Sequence, residues 1–138
     1  MFDARVMLEQ FYDRWAARDM DALLAFFDPD AVIRDQRHMA SWGGTREDWR
    51  TLMESWWELI PDGRLVELDV LVASDRHVLH FTRYEGTDTI TGGPAELAFY
   101  MVSEHASDGA LLALDFFDDE SSAREHLGRL EEAAARAD

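Results

Sequence analysis

Arg18–Gln36 reads RDMDALLAFFDPDAVIRDQ. Asp19 has the chemistry of a helix N-cap, Met20, Leu23, Leu24 and Phe27 follow at helical spacing, and Pro29 within an acidic turn ends the helix. From about Ala31 to Arg37 the hydrophobic period becomes two, which predicts a strand. Alternate side chains of a strand share a face, so if Ile33 points inward Asp35 points inward with it. A carboxylate in a mostly apolar interior is a reason to look for chemistry.

Upstream, residues 3–17 predict an amphipathic helix, with Met7, Phe11 and Trp15 on one stripe and Leu8 and Tyr12 beside it. Downstream, Thr45 is suited to cap a helix whose first turn holds Glu47 and Asp48, where the helix dipole favours acids. That helix runs to Pro61 on an inner stripe of Trp49, Leu52, Met53, Trp56 and Ile60, with Trp57 at its margin. After Arg64 the period is two again: RLVELDVLVAS, HVLHFTRYEG, AELAFYMVSEHA and ALLALDFFDD are four strands joined at Asp75-Arg76, Thr91–Pro94 and Ser107–Gly109. Ser121–Ala137 is helical by propensity but only weakly apolar, suited to pack on an edge, fray or meet a partner subunit. The order predicts one α+β domain over residues 1–138. A curved antiparallel sheet wraps around three helices to form a cone with an internal pocket, and a C-terminal helix follows.

Composition removes several classes of function. The net charge of −16, with 29 acidic residues against 13 basic ones, disfavours nucleic acid and anionic membranes, both of which attract clustered cations. No apolar run approaches the ~20 residues of a membrane span and the N-terminus lacks a signal pattern, so a cytoplasmic location is the default. The chain has no Cys, Lys or Asn. That excludes thiol nucleophiles, disulfides, cysteine metal sites and lysine Schiff bases. The all-arginine basic set matches the codon bias of a high-GC bacterium. With no compact His/acid constellation and no glycine-rich phosphate loop, neither a metal nor an organic cofactor is expected.

The fragments FYDRWAARDMDALLAFFDPDAV, RDQR, GTREDW and DGALLALDFFDDESSAREHL resemble the SnoaL-like branch of the nuclear-transport-factor-like superfamily, which includes ketosteroid isomerase, limonene epoxide hydrolase and polyketide cyclases. The pattern is most similar to accessory domains at the ends of actinobacterial multidomain regulators. The resemblance implies a cone fold, a small-molecule pocket and pairing through the sheet. It also places the isomerase's general base on Asp35, while the isomerase's oxyanion-hole tyrosine falls on Phe11 and its protonated acid on Met101. Counting from Gly109, the acid that cyclases and epoxide hydrolases carry on the last strand falls on Phe116, with Asp115 on the opposite face. The epoxide hydrolase's Arg-x-Asp pair matches Arg83-Tyr84-Glu85, which favours Phe81, Arg83 and Glu85 as the inward face of their strand. Were that face outward, His80, Thr82 and Tyr84 would line the cavity instead.

The candidate catalytic set is therefore Asp35, Arg83 and Glu85. Asp35 would take a proton or activate water, and the guanidinium and carboxylate would steady charge or orient water. The alternative for Asp35 is a carboxylate neutralised by Arg37, by Arg83 or by backbone amides; for Arg83 and Glu85 it is a surface ion pair. The candidate ligand-binding set is Phe11, Trp15, Phe27, Ile33, His38, Met53, Trp56, Phe81, Phe99, Met101, Leu114 and Phe116, with Leu112 among the lining, a surface suited to a flat apolar or aromatic ligand. His77 and His80, three apart on a strand, project to opposite faces and do not suggest a shared metal site. These readings predict a cofactor-free isomerase, cyclase or epoxide hydrolase. The competing readings are a non-catalytic ligand-sensing domain and a dimerisation module in which Tyr100 and Phe117 face outward.

Overall fold

The computed structural model describes residues 3–37 and 43–137. Helix α1 spans Ala4–Ala16, with the Asp3 side chain accepting a hydrogen bond from the Val6 amide, and it buries Leu8, Phe11, Tyr12 and Trp15. Helix α2, Met20–Leu24, is capped in the same way by Asp19 on the Ala22 amide. Between them Arg18 adopts φ 58°, a conformation uncommon for a non-glycine residue. Its guanidinium lies 4.8 Å from the Trp15 ring and 5.3 Å from the Trp57 ring, and it donates to the Pro61 carbonyl at 2.8 Å. The α1–α2 turn is thus tied to the end of the third helix.

Strand β1 is Phe27–Asp35, longer at its start than the acidic Pro turn suggests. Phe27 already pairs with Leu111, and a bulge before Val32 absorbs the Asp28-Pro29-Asp30 turn. A two-residue strand β2, Gly43–Gly44, leads into α3, Arg46–Leu59. Thr45 and Asp48 form a reciprocal capping box, and a side chain at position 44 would collide with the Asp48 carboxylate that closes it. Strands β3 (Arg64–Ala73), β4 (His77–Thr87), β5 (Pro94–His105) and β6 (Leu111–Phe117) follow, then α4, Glu120–Ala137.

The six strands lie in the order β2-β1-β6-β5-β4-β3. Strands β3 to β6 are a run of antiparallel neighbours, but β1 lies parallel to β6, with Ile33 opposite Leu114 and Asp35 opposite Phe116. The sheet is therefore mixed, a correction to the all-antiparallel expectation. Hairpins fix direction only between consecutive strands, and β1 reaches its neighbour β6 after a helix and four intervening strands.

Helices α1 to α3 fill the inner face of the sheet around Phe11, Trp15, Ile33, Trp49, Met53, Phe99, Met101 and Phe116. On the outer face α4 contacts β4, β5 and β6 and builds a second, smaller core from Leu79, Val102, Phe117, Ala123 and Leu127. Phe117 and half-buried Tyr100 belong to that intramolecular core. Among the described residues no helix is long and apolar enough to cross a membrane.

Candidate functional site

A narrow apolar cavity lies between the helices and the inner face of the sheet. Met7, Leu8, Phe11 and Trp15 come from α1; Trp49, Met53 and Trp56 from α3; His80 and Tyr84 from β4; Phe99, Met101 and Ser103 from β5; Leu111, Leu114 and Phe116 from β6. Its empty volume, including the part open to solvent, is about 510 Å³. Three of the lining residues are methionines, whose unbranched side chains adapt to an occupant most readily.

Eight of the candidate ligand-binding residues line this space: Phe11, Trp15, Met53, Trp56, Phe99, Met101, Leu114 and Phe116. Phe27 and Ile33 are buried in the surrounding core and lie behind the lining, and Leu112 is half-buried outside it. His38 lies outside the described residues.

Asp35 ends β1 with no exposed side-chain surface. Its Oδ1 accepts from the Arg37 amide at 3.0 Å and from Arg37 Nε at 2.9 Å, and its Oδ2 accepts from Arg37 Nη2 at 2.7 Å. The pairing is a consequence of alternation: residues two apart on an extended chain share a side. The same guanidinium sits 5.5 Å from the Phe99 ring and 5.6 Å from the Phe116 ring, both in the cavity wall. The pair thus stands against that aromatic wall, with Asp35 itself outside the lining.

Strand β4 corrects the assignment of faces. Thr82 lies opposite Phe99 and Tyr84 opposite Leu97, on the side of the helices, whereas Phe81 lies opposite Tyr100 and Arg83 opposite Ala98 on the outer face. Phe81 packs on Tyr100 with ring centroids 4.9 Å apart. Arg83 forms ion pairs with Glu67 and Glu85 there, all partly exposed, and these partners, Glu67 first, hold its guanidinium above its ordinary pKa. Arg83, Glu85 and Phe81 are therefore separated from the cavity by the sheet. The physical reason was present in the sequence: Leu79, Phe81, Arg83 and Glu85 mix charge with apolar side chains, whereas Val78, His80, Thr82 and Tyr84 carry no formal charge. An uncharged face is the cheaper one to bury.

That inner face introduces a polar group that was named only as the alternative. His80 is 2% exposed, and its Nε2 lies 2.9 Å from the Tyr12 hydroxyl. Burial, assisted by nearby His105, lowers the His80 pKa to about 3, so the ring is neutral at physiological pH. Burial also raises the pKa values of Tyr12 and Tyr84. His80 Nδ1 and Thr82 Oγ1 are both buried without a hydrogen-bond partner. Each such orphan costs about 1–3 kcal/mol, so two on one strand call for an explanation. Beside them Ser103 Oγ is 2.8 Å from His105 Nε2, and His105 Nδ1 is 3.0 Å from the Gly109 carbonyl. The carbonyl can only accept, so His105 carries its proton on Nδ1 and Ser103 donates to Nε2.

On β6 Phe116 faces the cavity and Asp115 the α4 side. Asp115 is fully buried, held by Arg34 Nε at 2.7 Å, Arg34 Nη2 at 2.9 Å and His126 Nε2 at 3.1 Å. Burial alone would raise its pKa, but the hydrogen bonds from His126 and Arg34 outweigh it and bring the carboxyl to about 2. Among the described residues no three His, Asp or Glu side chains converge as a metal site.

Residues 8–113 match the SnoaL-like domain family. The chain belongs to that family. No curated protein matches the sequence significantly. Among solved structures, this SnoaL-like domain is similar to IdmH, a candidate polyketide cyclase from Streptomyces antibioticus, at 20% identity over 92% of this chain and 99% of that one, with a TM-score of 0.72. It is similar to an NTF2-like protein of unknown function from Burkholderia pseudomallei at 17% identity over 89% and 95% of the two chains, TM-score 0.70. A candidate polyketide cyclase from Xanthomonas campestris pv. campestris aligns at 17% identity over 86% and 92%, TM-score 0.68. At these identities the likeness is one of fold.

Proposed function

We propose that this SnoaL-like domain binds one apolar, largely aromatic small molecule in the α1–α3–sheet cavity, and that it is a binding module requiring neither metal nor organic cofactor. One observation carries this reading: Asp35, whose Arg37 partner stands on the cavity wall, has both oxygens occupied by that arginine. Both oxygens are directed at Arg37 and Asp35 stands outside the lining, so the carboxylate is not presented to a ligand in the cavity. His80, neutral with a pKa near 3, is a weak base. Arg83 and Glu85 are on the wrong side of the sheet to assist.

A catalytic reading keeps one support. Arg37 lies directly on the two cavity phenylalanines, so a ligand with an enolate or carboxylate of its own would compete for the guanidinium and free Asp35 to act as a base. That two of the structural relatives are candidate polyketide cyclases supports keeping this reading.

Equilibrium dialysis with naphthalene tests the binding site. The domain should bind one equivalent, and Met53→Trp, which fills the cavity from α3, should abolish binding while circular dichroism remains native. Naphthalene binding that survives Met53→Trp would remove the cavity from consideration. Asp35→Asn should change naphthalene affinity less than threefold; once a substrate is found, a loss of turnover by orders of magnitude in that variant at unchanged affinity would replace the binding reading with the catalytic one.

A further inference from the structure

We propose that the cavity holds a polar subsite at His80, braced from behind by Tyr12 and Thr82, which receives one hydroxyl group of an otherwise apolar ligand. The inference rests on the cavity being the ligand site and specifies which molecules it accepts.

His80 is part of the cavity lining, and Tyr12, which holds its Nε2, is not. The ring is thereby fixed from behind, from α1, while Nδ1 remains without a protein partner. Thr82, two residues further along the same inner face and fully buried, lies behind the lining with its hydroxyl against that of Tyr12, and so supports the tyrosine that holds His80. His80 Nδ1 is left as an unpartnered polar atom on the wall of a cavity whose remaining walls are almost entirely apolar.

The chemistry of this atom selects the group. If Nε2 accepts from the Tyr12 hydroxyl, Nδ1 carries the proton and needs an acceptor; in the other tautomer Nδ1 needs a donor. A ligand hydroxyl both donates and accepts, so it satisfies either tautomer. A carboxylate finds no cation there, since the ring stays neutral down to about pH 3, and a hydrocarbon leaves Nδ1 unsatisfied. A site built to pair a hydroxyl discriminates strongly against the analogue that lacks it.

The test is equilibrium dialysis of 2-naphthol against naphthalene, with the wild-type domain and with two variants, His80→Phe and Thr82→Val. Wild type should prefer 2-naphthol at least tenfold, and each variant should reduce that preference to about threefold or less. Thr82→Val is nearly isosteric and secures the comparison if His80→Phe folds poorly. Equal binding of the two probes by wild type would overturn the subsite and indicate that ordered water satisfies Nδ1, leaving the cavity reading in place. A naphthol preference retained in Thr82→Val and in a folded His80→Phe would also overturn it. Binding of neither probe by wild type would overturn the subsite and the cavity reading together.

Discussion

At the level of single residues the functional question turns on two side chains, Asp35 and Arg37. The carboxylate is fully enclosed and the guanidinium nearly so, and the guanidinium lies against the Phe99 and Phe116 rings. Removing one partner of such a pair strands the other, so Arg37→Ala should destabilise the domain by about 3–5 kcal/mol. Adding Asp35→Asn to that variant should recover more than half of the loss, because the uncompensated charge is then gone. Urea denaturation of the two single variants, the double variant and wild type measures the coupling; strict additivity would mean that the pair is solvated in solution. The sequence placed Asp35 on the inward side through its alternation with Ile33, and it offered Arg37 as a neutralising partner by the same two-residue rule. It did not reveal that Arg37 rather than a ligand completes the carboxylate, because that depends on the aromatic ledge built by β5 and β6, far along the chain. His80 illustrates the reverse case. Its face was readable from the absence of charge on alternate residues of β4, but Leu79 and Phe81 made the opposite face look equally apolar.

At the level of elements, the helices and strands were legible because each carries its own period and punctuation, as with Thr45 and Asp48 at the start of α3. Docking was less legible. Ala123, Leu127 and Leu130 give α4 a stripe only one side chain wide, too little to say which surface it meets, yet enough to cover Leu79, Val102 and Phe117. Buried Asp115, held by Arg34 and His126, fixes that contact, linking β1, β6 and α4. Its pH dependence follows from the depressed carboxyl. With a folded pKa of about 2 against an ordinary 3.8, the contribution is fully present above about pH 4 and is lost as pH falls through 2. Such a shift amounts to on the order of 2 kcal/mol. The difference in stability between wild type and Asp115→Asn should therefore shrink by roughly that amount as pH falls from about 4 toward 2. Chemical denaturation across that range checks it. A difference independent of pH would show that the carboxyl is not held ionised by Arg34 and His126.

For the whole molecule, the charge and the outer face of the sheet bear on how copies meet. Helix α4 takes Phe117 and part of Tyr100 for the chain's own second core, so those aromatics are less available to a partner than their alternation suggested. What stays open on that face is the Phe81–Tyr100 stack beside the Arg83–Glu67–Glu85 ion pairs, next to the edge strand β3. A half-buried aromatic pair flanked by charges of both signs is a self-complementary arrangement, because a two-fold axis brings the arginine of one copy toward the acids of the other. We therefore expect a homodimer across this part of the sheet, sedimenting at about twice 15.9 kDa at micromolar concentration. Two copies together carry −32, from −16 in each chain, and their long-range repulsion is reduced when salt shortens the Debye length from about 10 Å at 0.1 M to about 3 Å at 1 M. Dimerisation should consequently strengthen as salt is raised, the opposite of what a contact held mainly by intersubunit ion pairs would do. Phe81→Glu, which adds an acid where the two-fold contact places apolar surface, should yield a monomer with native circular dichroism. A wild-type chain that remains monomeric at both salt concentrations, or a Phe81→Glu variant that dimerises as well as wild type, would exclude this face as the interface.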